Sequence, residues 1–210
     1  MPDEKNIDQW WTVPGDAGGV LELRQVPMPT PKTGGVLIKV HAAGVNRGEL
    51  ISKPALRSDD PLARPRPSGI ECAGEIAALG DAVYGWQIGD RVMTRGIRCH
   101  ATYATADAAS LMAIPEHLNY LEAAAIPNVF ITAHDAMVSQ AKVQAGEAIL
   151  ITAGSSGVGS AALQIAAYLG AGPIIATSRS PAKAERLRDI GASHVIDSRE
   201  PNWANEVLDA

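Results

Sequence analysis

The residues best suited to chemistry are the small ones of AGSSGVGS, which follow an apolar run and open a helical pattern. Small residues at Gly154, Gly157 and Gly159 let the backbone turn tightly and approach a pyrophosphate. The N-terminus of the next helix adds unpaired N–H groups and the positive end of its dipole. The alternative is a tight packing turn without a ligand. The candidate phosphate-binding residues are Gly154, Ser155, Ser156, Gly157, Val158 and Gly159.

The end of the following strand decides which dinucleotide fits. Sites for NAD place Asp or Glu there, about 20 residues past the glycine turn, to bind the ribose hydroxyls. This chain has Ser178 and Arg179 at that place, with Lys183 shortly after. No carboxylate repels a 2′-phosphate, and the two cations can neutralise it. The sequence therefore predicts NADPH as cofactor, bound by Ser178, Arg179 and Lys183, unless the cations are only solvated surface charges.

Alternating strands and helices surround this turn. EAILITAG, PIIATS and HVIDS predict three strands, and PNWANEVLDA begins a further helix. Ser180 can cap the helix between the second and third strands, and Gly170 can end the helix after the glycine turn. The expected core face of that helix carries Val158, Ala162, Ile165 and Leu169. Strands joined by helices indicate a parallel sheet.

The first half of the chain follows a different pattern. From Val20 to about Pro115, short β-branched runs are separated by Gly and Pro, which predicts antiparallel strands in a sandwich or partial barrel. The Pro-rich and charged segment 53–69 is expected to be a surface loop. We therefore divide the chain into a mostly-β domain at 1–120 and an α/β domain at 121–210.

Composition narrows the class of partner. The 210 residues carry a net charge of −5, which offers no basic field for nucleic acid or anionic lipid. A small-molecule substrate is expected, with neither a nucleic-acid nor a membrane partner. The two cysteines have no C-x-x-C spacing, and the acidic N-terminus lacks a targeting signal. The expected location is cytoplasmic.

Five collinear stretches resemble one family: VLIKVHAAGVNRGEL, PSGIECAGEIAALG, IGDRV, LEAAAIPNVFITAHDAM, and the region from AGSSGVGS to HVID. Together they look like the zinc-independent, quinone oxidoreductase (zeta-crystallin) type of medium-chain dehydrogenase/reductase. The resemblance implies an α/β chain with a GroES-like mostly-β domain followed by a Rossmann domain. It also implies transfer of a hydride from NADPH to a quinone or to the β-carbon of an α,β-unsaturated carbonyl.

The same resemblance assigns roles outside the glycine turn. Asn46 is expected near the nicotinamide ribose, as the candidate catalytic residue and a cofactor contact, and Thr132 is expected to contact the nicotinamide. Zinc-dependent relatives carry Cys and His where this chain has Asn46 and Ile70. Fewer than three protein ligands do not make a zinc site, so no metal is expected. Cys72, His41 and His100 are expected to be packing or surface residues.

The chain supplies the first three strands of a Rossmann sheet, whose full order is 3-2-1-4-5-6. We expect an incomplete Rossmann domain that forms the adenosine and pyrophosphate half of the site, and weak activity from these 210 residues alone. The full-length form is expected to be able to form a homodimer. Two alternatives stay open: an enoyl-thioester reductase, and a non-catalytic protein that keeps the fold.

Overall fold

The computed structural model describes residues 5–16, 18–51, 59 and 63–210. The chain divides into two compact units, Met1–Asn128 and Val129–Ala210. The first unit thus includes residues 121–128, which the sequence analysis groups with the α/β domain. Within the described residues, no helix has the length and apolar character needed to cross a bilayer.

The first unit is built from antiparallel strands. One sheet has the order β2-β1-β4 and a five-stranded sheet has the order β7-β3-β5-β6-β8. The predicted mostly-β fold with antiparallel pairing is confirmed. Its elements are β1 (Asn6–Val13), β2 (Val20–Pro27), β3 (Gly35–Ala43), α1 (Arg47–Ile51), β4 (Arg66–Pro67), β5 (Glu71–Leu79), β6 (Arg91–Arg95), β7 (Tyr103–Asp107), β8 (Leu111–Ala113) and α2 (Tyr120–Ala124).

The five-stranded sheet buries apolar side chains on both of its faces. Val36 and Ile38 of β3 pack with Ile76 and Val92 in one core cluster. Leu37, between Val36 and Ile38 in sequence, belongs to a second core cluster. Successive side chains on a strand point to opposite faces, so a continuous apolar run such as GVLIKV is what such a strand requires.

Two strands of the first unit were not predicted. β1 is missed because its polar residues Asp8 and Gln9 interrupt the apolar pattern, although Ile7 and Gln9 are both buried. β4 lies inside the segment 53–69 that we expected to be a loop, and it pairs with β1 at Trp11 and Thr12. β4 pairs with β1 through only two residues, so it is too short to show the alternation of apolar and polar residues that predicts a strand. Residues 53–58 and 60–62 of that predicted loop lie outside the described residues.

The second unit alternates strands with helices, as predicted. Its sheet is parallel, with the order β11-β10-β9. This is the 3-2-1 order of the first Rossmann strands. The elements are α3 (Pro127–His134, beginning in the first unit), a π-helical segment Asp135–Gln140, β9 (Ile149–Ile151), α4 (Gly157–Tyr168), β10 (Ile174–Ser178), α5 (Ala184–Asp189), β11 (His194–Asp197) and α6 (Trp203–Asp209).

The predicted core face of α4 is correct in part, since Ala162 is buried and Ile165 packs against the core. Val158 is 38% exposed, whereas Gly159, Leu163 and Ala166 are buried. The helix is apolar on most sides, so its sequence pattern selects a face only weakly. Its predicted end at Gly170 is confirmed, since Gly170 has φ +71° and its N–H donates to the Ala167 carbonyl.

The predicted capping role of Ser180 was also wrong. Ser180 precedes a short 3-10 turn, Pro181–Lys183, but its side chain makes no capping hydrogen bond. Its backbone N–H donates instead to the hydroxyl of Ser178, at 3.1 Å. Because β10 ends on a serine, the strand supplies the polar side chain that the turn uses.

Candidate functional site

The glycine-rich turn joins β9 to α4, and Ser156 caps the helix. Ser156 has an extended backbone conformation, and its hydroxyl accepts from the Gly159 N–H at 3.1 Å. Side-chain oxygens at this position satisfy one of the first-turn donors that the helix leaves unpaired. The turn is also tied to β10, because the Gly154 N–H donates to the Thr177 carbonyl at 2.8 Å.

The glycines of the turn allow close packing of the helix on the sheet. A Cβ at Gly159 would overlap the Ala153 carbonyl oxygen and lie 2.8 Å from the Gly154 Cα. A Cβ at Gly154 would lie 3.0 Å from the Cβ of Ala176. Gly159 therefore needs glycine for packing alone, and Gly154 is tightly packed. Close packing accounts for these two glycines without a ligand.

The unpaired N–H donors of the turn make it suitable for binding an anion. Among the described residues, the N–H groups of Ser155, Gly157 and Val158 donate to no protein acceptor. Gly157 and Val158 are exposed at the start of α4, where the helix dipole favours negative charge. A capped helix start with spare donors is compatible with the pyrophosphate of a dinucleotide.

The residues predicted to select NADPH gather at the end of β10. Ser178 is buried, and its hydroxyl lies 3.3 Å from that of Ser155, which joins the strand end to the turn. Arg179 and Lys183 are exposed. Asp197 ends the neighbouring strand, but its carboxylate accepts from the Arg199 guanidinium, which lowers the Asp197 pKa. The strand end thus presents cations beside a carboxylate that is already paired.

Asn46 lies in the first unit, in a network of polar side chains. Its Nδ2 donates to the Glu71 carboxylate at 2.5 Å, and its Oδ1 accepts from the Asn128 Nδ2 at 2.9 Å. The Asn128 backbone N–H also donates to Glu71, at 2.8 Å. The Arg95 Nε donates to the Asn128 Oδ1 at 3.2 Å. We call Arg95, Asn128, Asn46 and Glu71 the amide network.

Glu49 anchors the backbone beside this network. Its carboxylate accepts from the Asn46 N–H at 2.9 Å and from the Gly69 N–H at 3.0 Å. The ring of His100 lies 4.0 Å from the same carboxylate and is held by the Gly44 carbonyl and the Ser68 hydroxyl. Since the Gly44 carbonyl can only accept, the His100 Nε2 carries the hydrogen in this arrangement.

The sequence resemblance compares Asn46 and Ile70 with zinc ligands of zinc-dependent proteins. No group of at least three His, Cys, Asp or Glu able to hold a metal ion occurs in the described ranges. Cys72 and Cys99 are both buried, and contact with the Cys72 thiol together with burial raises the pKa of Cys99. His41 stacks on Tyr120 with ring centroids 4.4 Å apart. These side chains are packing elements of the first unit.

The sequence analysis missed most of the amide network. It selected Asn46, but it gave no role to the other residues: Glu71, Asn128, Arg95 and Glu49. Asn128 follows the buried Pro127 at the start of α3. A polar residue beside a buried proline at a helix start was the one feature of the sequence that could have indicated its role. Thr132, selected by resemblance, lies exposed one turn further along α3 in the second unit.

Family models match most of each unit. Residues 32–117 match the alcohol dehydrogenase GroES-like domain, and residues 157–210 match a model described as zinc-binding dehydrogenase. The human quinone oxidoreductase is 37% identical over 191 residues, covering 90% of this chain and 57% of that protein. A highly reducing polyketide synthase of Aspergillus niger is 45% identical over 145 residues, covering 66% of this chain and 6% of that protein.

Solved structures agree with these matches. The CurK enoyl reductase superposes with a TM-score of 0.84 at 32% identity, covering 98% of this chain and 64% of that one. The quinone oxidoreductase of Coxiella burnetii gives a TM-score of 0.84 at 30% identity, covering 96% and 65%. The chain therefore shares the fold of these two structures over nearly its whole length.

The chain belongs to the medium-chain dehydrogenase/reductase family and is of its quinone oxidoreductase type. It spans 57% of the length of the human quinone oxidoreductase.

Proposed function

We propose that the protein is an NADPH-dependent oxidoreductase that transfers a hydride to a quinone or to the β-carbon of an α,β-unsaturated carbonyl. The observation that carries this proposal is the glycine turn, with spare N–H donors at the start of α4 and exposed cations at the end of β10. The human and Coxiella burnetii relatives named quinone oxidoreductases support the substrate class.

Each candidate residue then has a task in binding or orientation. The backbone from Gly154 to Gly159 holds the pyrophosphate, and Arg179 with Lys183 neutralises the 2′-phosphate. Ser178 keeps the turn and the strand end together. Asn46 orients the nicotinamide ribose, and Thr132 contacts the nicotinamide.

Bound NADPH supplies the hydride, so the protein contributes position and electrostatics. A strong acid or base is therefore not needed for the hydride step itself. No metal takes part in this proposal, since Asn46 and Ile70 stand where zinc-dependent relatives carry ligands.

A second candidate is an enoyl-thioester reductase. It is favoured by the similarity to the CurK enoyl reductase and to part of a polyketide synthase. The chemistry is the same conjugate addition of hydride, and only the group carrying the double bond differs. We place the active protein in the cytoplasm and propose that it can form a homodimer.

The test is NADPH oxidation by the purified protein with a quinone, a small enone and an enoyl thioester in parallel. We expect turnover with the quinone or the enone, at the low rate expected of these 210 residues. For Arg179→Ala we expect a loss of at least about tenfold in kcat/KM, as removal of a charge-assisted hydrogen bond predicts. Turnover with the thioester alone would select the second candidate. A protein that binds NADPH but oxidises it with none of the three would be the non-catalytic alternative and would refute the proposal.

A further inference from the structure

We propose that Glu71, Asn128 and Arg95 are positioning residues that fix the orientation of the Asn46 carboxamide for the cofactor. This inference rests on the proposed function only in giving Asn46 a cofactor to contact. Nothing in the family matches assigns a role to Asn128 or Arg95.

The two ends of the amide network set the direction of every hydrogen bond within it. A guanidinium can only donate, and an ionised carboxylate can only accept. Arg95 therefore requires the oxygen of Asn128, which turns the Asn128 Nδ2 toward Asn46. Glu71 requires the Nδ2 of Asn46, which turns the Asn46 oxygen toward Asn128. The two demands agree, so the flipped carboxamide of Asn46 is disfavoured from both sides.

The network is also closed and partly buried. Glu71 is 2% exposed, and its second carboxylate oxygen accepts from the Asn128 backbone N–H at 2.8 Å. A Cβ at Gly44 would overlap the Glu71 carboxylate, so glycine at this position leaves room for the charge. Buried carboxylates need such partners, because an unpaired charge in the interior is costly. The geometry of Asn46 is thus determined by groups from three other segments of the chain.

Asn46 keeps hydrogen-bonding capacity that the network does not use. A carboxamide has two N–H donors and two acceptor positions, and within the described residues one of each is occupied. One donor and one acceptor can therefore serve a ribose hydroxyl, with directions that Asn128 and Glu71 have set. A side chain with pre-set geometry binds more tightly, because less rotational freedom is lost on binding.

The experiment is a double-mutant cycle read as the dissociation constant of NADPH, measured by fluorescence titration. The variants are Asn46→Ala, Asn128→Ala and the double substitution. We expect the affinity to fall about tenfold for Asn46→Ala and about fivefold for Asn128→Ala, as losses of single hydrogen bonds. The double variant should bind no more weakly than Asn46→Ala alone, because Asn128 acts through Asn46.

Asn119→Ala is the matched control. Asn119 is an exposed capping residue of α2 whose side chain accepts from the Glu122 N–H at 3.0 Å, so its loss affects stability but not the network. Its NADPH affinity should equal that of the unchanged protein. Arg95→Met provides a milder variant at an exposed position, expected to weaken NADPH binding about twofold in the Asn46 background and not in the Asn46→Ala background.

Two results would overturn the proposal. One is an unchanged NADPH affinity in Asn128→Ala; the other is the same fold-loss from Asn128→Ala whether or not Asn46 is present. A second readout needs no cofactor and follows the Asn46 side-chain amide proton that donates to Glu71, assigned by its disappearance in Asn46→Ala. It should exchange slowly and lose this protection in Asn128→Ala, where the carboxamide is no longer held from its oxygen side. If neither the unchanged protein nor any variant bound NADPH, but the Asn46 amide proton were still protected from exchange in the unchanged protein, the proposed function would be refuted. The hydrogen bonds of the amide network would then still be supported.

Discussion

The glycine turn and the amide network differ in the groups that each offers to a polar ligand. The turn comes from one contiguous stretch, and its donors are backbone N–H groups at the start of α4. The amide network takes one side chain from each of four segments that lie apart in sequence. A site made of backbone groups tolerates a change of side-chain type but not a larger side chain. A site made of side chains tolerates a substitution only if the directions of its hydrogen bonds are kept. Substitutions in the two regions should therefore fail differently.

The largest expected effect is that of added volume in the turn. Gly159→Ala forces a Cβ into the Ala153 carbonyl oxygen, and should cost about 3 kcal/mol of stability and abolish NADPH binding. Unfolding in urea and a fluorescence titration measure the two effects. Gly48→Ala is the control, since a Cβ there meets none of the described atoms within 4 Å. Equal stability of the two variants would show that the turn is not closely packed.

Next in size is the loss of charge at the end of β10. Arg179→Ala should weaken NADPH binding about tenfold and leave NADH binding unchanged, because only NADPH carries the 2′-phosphate. Arg188→Ala removes another exposed cation of the same unit and should change neither affinity. If Arg179→Ala weakened the binding of both dinucleotides equally, Arg179 would contribute to the overall positive potential of the site and would not contact the 2′-phosphate.

A smaller effect is expected from the helix cap. Ser156→Ala should cost about 1 kcal/mol of stability, the usual value for a lost N-cap. NADPH affinity should fall only about threefold, because the donors of the turn belong to the backbone and the cap merely holds the helix start in place. Ser160→Ala removes a hydroxyl that donates to the Gly157 carbonyl within the same helix and should be near neutral. A large loss of affinity in Ser156→Ala alone would mean that the hydroxyl itself binds the ligand.

The sequence could predict the turn because its signal is local. Gly154, Gly157 and Gly159 stand at fixed spacing between a strand and a helix, and the parallel order of β9, β10 and β11 followed from the same alternation. The amide network has no such spacing. Asn46, Glu71 and Asn128 meet only because β3, β5 and α3 bring their ends together, and no periodicity encodes that meeting. β1 and β4 were missed for the related reason that their pairing, not their composition, makes them strands.

The smallest effect concerns a polar contact of the first unit outside the amide network. The Tyr120 hydroxyl donates to the Glu75 carboxylate at 2.7 Å, and this bond, with a smaller contribution from His41, lowers the Glu75 pKa. A carboxylate with a lowered pKa stabilises the fold above its unfolded pKa, and that contribution is lost as pH falls through the folded value. Tyr120→Phe should reduce stability by about 0.5 kcal/mol at neutral pH, since solvent screens the pair.

Thermal melts of both proteins from neutral pH down to below the ordinary Glu pKa measure this effect. The difference between them should shrink on the acid side, where Glu75 is protonated in both. NADPH affinity should not change, which separates a stabilising contact from the amide network within one unit. A difference that grew toward low pH would contradict the assigned direction of the pKa shift.

The measurement that tests the account most directly is a parallel titration of the purified protein with NADPH and NADH, followed by nicotinamide fluorescence. The account predicts saturable binding of NADPH and at least about tenfold weaker binding of NADH, from the spare donors of the turn together with Arg179 and Lys183. Equal binding of the two would contradict the cofactor preference. Binding of neither to a folded sample would contradict the assignment of the turn as a working dinucleotide site.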